Sequence, residues 1–182
     1  MESLDTKQSK QKVIVFFGPS DPYPQFNQWA TAKFEEDGLK FSCAEQYMMY
    51  RKAKLFNDQE IADKILRCTN PNVAMALGRQ VKRFQNDIWE QHRFDIVVRG
   101  NYLKYSQNPH FRDVLLKTGD SIIAEGCDYD KIWGTGFATG DVRNQDPNLW
   151  PGMNLLGKAL MEVRSLILKE QAERLGTESI KE

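Results

Sequence analysis

One glutamate of this sequence stands in surroundings that are unusual for a surface residue. Glu45 lies in the run Phe41-Ser-Cys-Ala-Glu-Gln-Tyr-Met-Met49, which contains no other charged side chain. A glutamate in the first turn of a helix is more often a surface group that compensates the helix dipole. Here it shares a helix stripe with Met49, Lys52 and Phe56, so it faces apolar and cationic groups instead of open solvent. Glu45 is therefore the first candidate for acid–base chemistry.

The stretch Trp133-Gly-Thr-Gly136 is a second candidate, at the end of a predicted strand. Gly134 allows a ligand to approach the backbone closely, and the indole of Trp133 offers a stacking face. A core tryptophan followed by a flexible loop explains the same pattern equally well. No helix opens behind the glycines and GxGxxG is not completed, so the pattern does not indicate a nucleotide-binding fingerprint.

A third group of residues leaves the proline-rich loop Asp21-Pro-Tyr-Pro24. Phe26, Gln28 and Trp29 follow this loop directly. Aromatic and amide side chains on a loop are suited to binding a ligand. An aromatic that plugs the edge of the core is an equally good interpretation, and the sequence leaves both open.

The start of the last helix carries two further candidates. Asn154 is placed to cap the helix, and its amide is also suited to hydrogen bonds with a ribose or a base. Gly157 in a first helical turn costs about 1 kcal/mol relative to alanine. We therefore expect a packing or ligand reason for it.

The elements that must position these residues indicate an α+β fold, a single compact and mainly helical domain with a few short strands. The domain is predicted over residues 13–170, between a flexible segment 1–12 and a polar tail 171–182. Residues 137–152 are predicted to form a structureless lid or binding loop. The predicted strands are Val13–Phe17, Ala32–Glu36, Lys40–Phe41, Ser121–Glu125 and Lys131–Trp133. The first predicted helix begins at Cys43. Further helices are predicted at Asp58–Arg67, at Asn72–Arg79, at Asp87–Tyr105, after Pro109, and from Leu155 through Ile167.

Composition narrows the class of protein. The 182 residues carry 25 basic and 25 acidic side chains, which argues against binding nucleic acid or an anionic membrane by bulk charge. Residues 51–83 nevertheless hold eight basic and three acidic groups, whereas residues 113–146 hold three and seven. Three cysteines without a CxxC spacing, and a polar beginning, predict a reducing, intracellular and cytoplasmic setting, with the nucleus also open. Two histidines without metal-binding spacing predict no metal site, and we expect no cofactor.

Taken together, these segments resemble the NADAR superfamily, the YbiA-like N-glycosidases. The resemblance runs in family order over roughly residues 15–168. The matching stretches are Phe26-Asn-Gln-Trp29, Phe41-Ser-Cys-Ala-Glu-Gln-Tyr-Met-Met49, Ala76-Leu-Gly-Arg-Gln80, Trp89, Lys104-Tyr-Ser-Gln-Asn-Pro109, Thr118-Gly-Asp120, Ile132-Trp-Gly134 and Asn154-Leu-Leu-Gly-Lys-Ala-Leu-Met-Glu-Val-Arg164.

The resemblance implies a hydrolase that cleaves the bond between nitrogen and C1 of a ribose. The family's glutamate falls on Glu45 and its central-helix tryptophan on Trp89, while its W-G motif and acidic loop fall on Trp133, Gly134 and Asp141. Asn27 stands where many members have serine. Thr135 stands where the bacterial riboflavin-pathway members have aspartate, which weakens the transfer of their substrate.

The expected partner is accordingly ADP-ribosylated guanine in DNA, or a ribosylated small molecule. Cleavage of a ribosyl C–N bond passes through a cation-like state, which needs a carboxylate and a platform for the leaving base. Trp89 or Trp133 could supply the platform. Lys52 and Arg79 are among the cations available for phosphates, although a solvated helical face explains them equally well. Hydrolysis of ribosylamino intermediates of riboflavin synthesis, and a non-catalytic module that binds ADP-ribose or NAD, are the alternatives.

Overall fold

The computed structural model describes residues 11–178, which form six α-helices and four short strands. The predicted α+β domain, mainly helical with few strands, is confirmed. The strands are β1 (Val13–Phe16), β2 (Phe34–Glu36), β3 (Leu39–Phe41) and β4 (Ile122–Glu125). The helices are α1 (Ala44–Leu55), α2 (Gln59–Arg67), α3 (Pro71–Gly78), α4 (Asn86–Gln107), α5 (Pro109–Leu116) and α6 (Leu155–Glu178).

The strands form two small sheets. β1 pairs in parallel with β4, so that Val13 lies opposite Ile122 and Phe16 opposite Glu125. β2 and β3 form the predicted antiparallel hairpin. Its turn has φ of 51° at Asp37 and 78° at Gly38, a left-handed conformation that an Asp-Gly pair supports well.

Helix α1 is the inner layer of the core. Eight of its twelve residues are buried, among them Tyr47, whose ring lies 5.8 Å from Phe34 and 5.0 Å from Phe41 of the hairpin. On its other sides α1 packs against α2, α3 and the central helix α4. Residues at the start of α1 are therefore enclosed from several directions, which places Glu45 in the interior.

The predicted strand Lys131–Trp133 is wrong, because these residues form a turn. The Asp130 carboxylate accepts hydrogen bonds from the backbone N–H groups of Ile132 and Trp133, both at 2.8 Å. The carbonyl groups of the turn then accept from the start of α6, as in the 3.1 Å bond from Leu156 N to Trp133 O. The backbone N–H groups of Ile132 and Trp133 thus bond to the nearby Asp130 side chain instead of to a neighbouring strand.

Two further expectations about the second half of the chain change. The predicted structureless loop 137–152 contains two short 3₁₀ helices, Val142–Gln145 and Pro147–Leu149. The segment from residue 171, predicted as a polar tail, is helical to Glu178. Residues 1–10 of the predicted flexible segment and residues 179–182 of the tail lie outside the described residues.

No helix within residues 11–178 combines the length and the apolar character that crossing a bilayer requires.

Candidate active site

Glu45 lies in the first turn of α1 and is buried, with 6% of its surface exposed. Its backbone N–H donates to Gln28 O at 3.0 Å, and the Trp29 indole N–H donates to its carboxylate. Burial raises the pKa of Glu45 to about 7, although the hydrogen bond from Trp29 and the charges of Arg79 and Lys52 oppose this rise. A carboxyl group with this pKa exchanges protons readily at neutral pH.

A second acidic residue, which the sequence analysis missed, lies close by. Glu125 is the last residue of β4, and its backbone N–H donates to the Asn154 side chain at 3.0 Å. Burial raises the pKa of Glu125 to about 8, and the charges of Asp130 and Glu45 add to this effect. Because nearby carboxylates resist ionising together, the pair retains a proton at neutral pH. The one signal in the sequence was an acidic residue at the end of an otherwise apolar strand.

Two cations stand beside these carboxyl groups. The Lys52 ammonium lies 4.4 Å from the ring centre of Phe84 and 5.6 Å from that of Trp89. Burial lowers the pKa of Lys52, as does the charge of Arg79, while Glu45 raises it. Within residues 11–178, neither Lys52 nor Arg79 forms a salt bridge with a carboxylate. Their charge is therefore available to an anionic ligand.

The neighbouring cations that the sequence offered are already engaged. Four of them have hydrogen-bond partners on the protein: Arg51 with Glu36, Lys54 with Gln59, Lys82 with Glu60, and Arg83 with the Asn57 carbonyl. The structure thus separates Lys52 and Arg79 from these four cations of the basic segment 51–83.

The loop before α1 brings Trp29 to the site but not Phe26. Trp29 is 38% exposed while its indole reaches Glu45, so part of its side chain is accessible to a ligand. Phe26 has no exposed surface and packs against Phe16 and Tyr23, with ring centres 5.5 and 5.1 Å apart. A side chain enclosed in this way supports the loop and is not open to a substrate. The Gln28 amide oxygen accepts a hydrogen bond from Asn101 at 2.9 Å.

The start of α6 has a structural role. Asn154 is fully buried, and its amide bonds to the backbone of β4, donating to Ile123 O at 2.9 Å. Instead of capping α6 or facing a ligand, this side chain joins α6 to the strand that ends in Glu125. At Gly157, a Cβ atom would lie 2.1 Å from Ile123 O. The predicted packing reason for this glycine is therefore found in its contact with β4.

The two candidate tryptophans, Trp89 and Trp133, and Asp141 of the acidic loop differ in how deeply they are buried. Trp89 is buried beneath Lys52 at the start of α4, and Trp133 is half-buried against the core. Gly134 is buried, and its carbonyl accepts from Asn154 N at 3.0 Å. Asp141 begins a 3₁₀ helix and binds Arg143 at 2.6 Å, which holds its pKa at about 2. Asp141 is therefore an ion-paired loop residue.

The two departures from the family pattern are both loop contacts. The Asn27 side chain accepts from Trp29 N at 2.7 Å and donates to Phe17 O. Thr135 is fully buried, and its hydroxyl donates to Asn144 Oδ1 at 2.6 Å. None of these bonds is made directly to Glu45. Among the described residues, no group of three or more His, Cys, Asp and Glu side chains could hold a metal ion.

One known family and several known proteins match this chain. Residues 15–168 match the NADAR domain. The chain belongs to the NADAR family. An N-glycosidase of Acanthamoeba polyphaga mimivirus is 46% identical over 144 residues, which cover 76% of this chain and 85% of that protein. N-glycosidase YbiA of Escherichia coli is 27% identical over 159 residues, 87% of this chain and 91% of the bacterial one.

The NADAR fold is also shared with a solved structure. The NMR structure of E. coli YbiA matches with a TM-score of 0.74 at 27% sequence identity, covering 90% of this chain and 89% of the other. The segments that carry Glu45, Glu125, Trp133 and Asn154 all lie inside the matched NADAR region.

Proposed function

We propose that this NADAR protein is an N-glycosidase that hydrolyses the bond between nitrogen and C1 of a ribose. The observation that carries the proposal is the pair formed by buried Glu45 and half-buried Glu125, whose raised pKa values keep a proton on the pair, beside Lys52 and Arg79, which form no salt bridge within residues 11–178. The names of the relatives, which are N-glycosidases of a virus and of bacteria, support the same reaction.

The two carboxyl groups divide the chemistry between them. Glu45 has the lower pKa and the Trp29 donor, so it acts as the carboxylate that stabilises positive charge at C1 and accepts a proton from water. Glu125 has the higher pKa and acts as the acid that protonates the leaving nitrogen. The C1–N bond breaks as the bond from C1 to the water oxygen forms. The products are the free ribosyl compound and the amine.

Our first choice of substrate is ADP-ribose attached to guanine in DNA. Lys52 and Arg79 are free to bind its phosphates, and Trp29 and Phe84, exposed by 38% and 41%, offer rings on which a base can stack. A guanine inside a duplex is out of reach of a buried carboxyl group, so the enzyme would act on an extruded or single-stranded nucleotide.

Ribosylamino intermediates of riboflavin synthesis are the second candidate substrates, because they carry the same type of bond. The residue that departs from the bacterial riboflavin-pathway pattern, Thr135, bonds to Asn144 of the loop 137–152. Its influence on substrate choice would pass through the shape of that loop. A module that binds ADP-ribose without turnover is the third candidate.

The test is a product screen with purified protein on ADP-ribosylated guanosine and on ribosylaminopyrimidines. We expect release of the free base or amine by the wild type. Glu45→Gln is expected to lower turnover by about 10²- to 10⁴-fold, the usual contribution of a positioned acid or base. Glu60→Gln is the matched control, because Glu60 pairs with Lys64 and Lys82 on the surface.

Each result of the screen separates two candidates. Turnover retained by folded Glu45→Gln would exclude Glu45 as the catalytic carboxylate. Tight binding of ADP-ribose by the wild type, with no product over hours, would favour the binding module. Turnover of the ribosylaminopyrimidines alone would replace ADP-ribosylated guanine by the riboflavin-type substrate.

A further inference from the structure

A lysine of the central helix is buried and has no carboxylate partner among residues 11–178. Lys104 has no exposed surface, and its ammonium donates to Gln25 O at 2.8 Å and to Asn27 O at 3.0 Å. The rings of Tyr105 and Phe111 lie 5.2 and 5.3 Å from it. Burying an unpaired charge is costly. This free-energy cost indicates that Lys104 has a role beyond the packing of α4.

The neighbours of Lys104 on α4 bind the same loop. Tyr105 donates its hydroxyl to Gln25 O at 2.9 Å, and Asn101 donates to the Gln28 side chain at 2.9 Å. Positions 101, 104 and 105 lie on one face of a helix. This polar face of α4 therefore forms hydrogen bonds with residues 25, 27 and 28 of the loop 25–28.

The other side of that loop touches Glu45. Gln28 O accepts the Glu45 backbone N–H at 3.0 Å, and the Asn27 side chain accepts the Trp29 N–H at 2.7 Å. Trp29 then donates its indole N–H to the Glu45 carboxylate. An unbroken series of bonds thus leads from Lys104 through Asn27 and Trp29 to Glu45.

We propose that Lys104 is a positioning residue, which fixes the loop 25–28 so that Trp29 meets the carboxylate of Glu45. Its importance for turnover rests on the proposed N-glycosidase function, whereas its effect on Trp29 is measurable without any substrate. Burial lowers the pKa of Lys104 to about 7, with Cys43 opposing the shift. A neutral amine keeps two N–H groups, enough for both carbonyl groups, so the contact survives loss of the charge.

The test is an NMR titration of the Trp29 indole N–H, assigned by its absence in Trp29→Phe. In the wild type this resonance should follow the ionisation of Glu45 near pH 7. Glu45 acts on Glu125, and the other charged groups that act on these two residues are Lys52, Arg79 and Asp130; all of them stay in place in Lys104→Met. In Lys104→Met we expect the indole resonance to lose its titration. A titration unchanged in midpoint and size would overturn the proposal.

Two further variants keep the test decisive. Tyr105→Phe removes only the bond to Gln25 O and should give a smaller change in the same direction, which covers the case that Lys104→Met does not fold. Arg164→Met is the matched control, because Arg164 is a buried cation bonded to Thr118 and Ser121 O. It should lose stability but leave the Trp29 titration unchanged. An equal change in Arg164→Met would reduce Lys104 to a general packing role.

Kinetics then connects the loop to the reaction. Lys104→Met should lower kcat roughly tenfold or more with little change in KM, because a small displacement of a reacting group is costly. The acid limb of its pH profile should move to higher pH, as in Trp29→Phe, since both lose a bond that lowers the pKa of Glu45. A wild type without turnover would refute the proposed function, while the titration would still decide the role of Lys104.

Discussion

Two glutamates, Glu36 beside helix α1 and Glu45 within its first turn, have opposite surroundings. Glu36, at the end of β2, accepts hydrogen bonds from Tyr47 at 2.8 Å and from Arg99 at 2.7 Å, with Arg51 at 3.3 Å. Burial alone would raise the pKa of Glu36, but these partners hold it below its ordinary value. Glu45 is more deeply buried, and among residues 11–178 the Trp29 indole is its only side-chain donor, so its pKa rises to about 7.

The comparison gives Glu36 a structural role and Glu45 a chemical one. At Glu36 the cations neutralise the carboxylate and join β2 to α1 and α4. At Glu45 the cations Lys52 and Arg79 form no salt bridge with any carboxylate that the structure describes, and the raised pKa of Glu45 lets it hold a proton near pH 7. Such an arrangement costs stability, which is typical of a functional site.

The largest expected effect tests this difference through stability. Removing the charge of Glu45 by Glu45→Gln should raise the free energy of unfolding at pH 8 by up to about 3 kcal/mol, because its pKa rises from 4.5 to about 7 on folding. The neutral form stabilises the fold below pH 4.5, and this contribution is lost as pH rises through 7. The gain should therefore vanish near pH 4. Urea unfolding at several pH values measures it.

Glu36→Gln supplies the opposite sign in the same experiment. Its pKa is lowered on folding, so its contribution to stability is present above pH 4.5 and is lost as pH falls. This variant should lose stability at pH 8. If both variants lost stability at pH 8, the contrast between the two glutamates would be wrong.

The second expected effect concerns the cations. Replacing Lys52 and Arg79 by methionine should weaken ADP-ribose binding by about tenfold or more, since each removes a charge-assisted hydrogen-bond donor. Arg51→Met should leave binding unchanged, because Arg51 is already paired with Glu36. Isothermal calorimetry at two salt concentrations measures both. If Arg51→Met weakened ADP-ribose binding as much as replacement of Lys52 and Arg79, binding would depend only on the summed positive charge of segment 51–83.

The smallest expected effect is a shift of the pH profile in Asp130→Asn. The charge of Asp130 raises the pKa of both Glu45 and Glu125, so its removal should move both limbs to lower pH by less than about one unit. Asparagine keeps the Oδ1 acceptor for the N–H groups of Ile132 and Trp133, so the turn should persist. An unmoved profile would show that Asp130 acts only on the turn.

The sequence by itself determined the elements whose signals are local. The apolar period of α4 and α6, the Asp-Gly turn of the hairpin and the uncharged run around Glu45 each depend on residues that are close in the chain. For the same reason the strand predicted at Lys131–Trp133 failed, since its apolar residues were bent into a turn by Asp130 and the start of α6.

Only the tertiary structure decided which of these residues meet. Glu125 ends β4 and Glu45 begins α1, so only the fold brings their charges together, and Asn154 bonds to β4 because α6 packs there. Phe26 and Trp29, three positions apart, were separated into a core residue and a site residue by the packing of Phe16 and Tyr23. Burial and charge at a site are sums over distant segments. The pKa of a carboxyl group therefore cannot be assigned before the chain is folded.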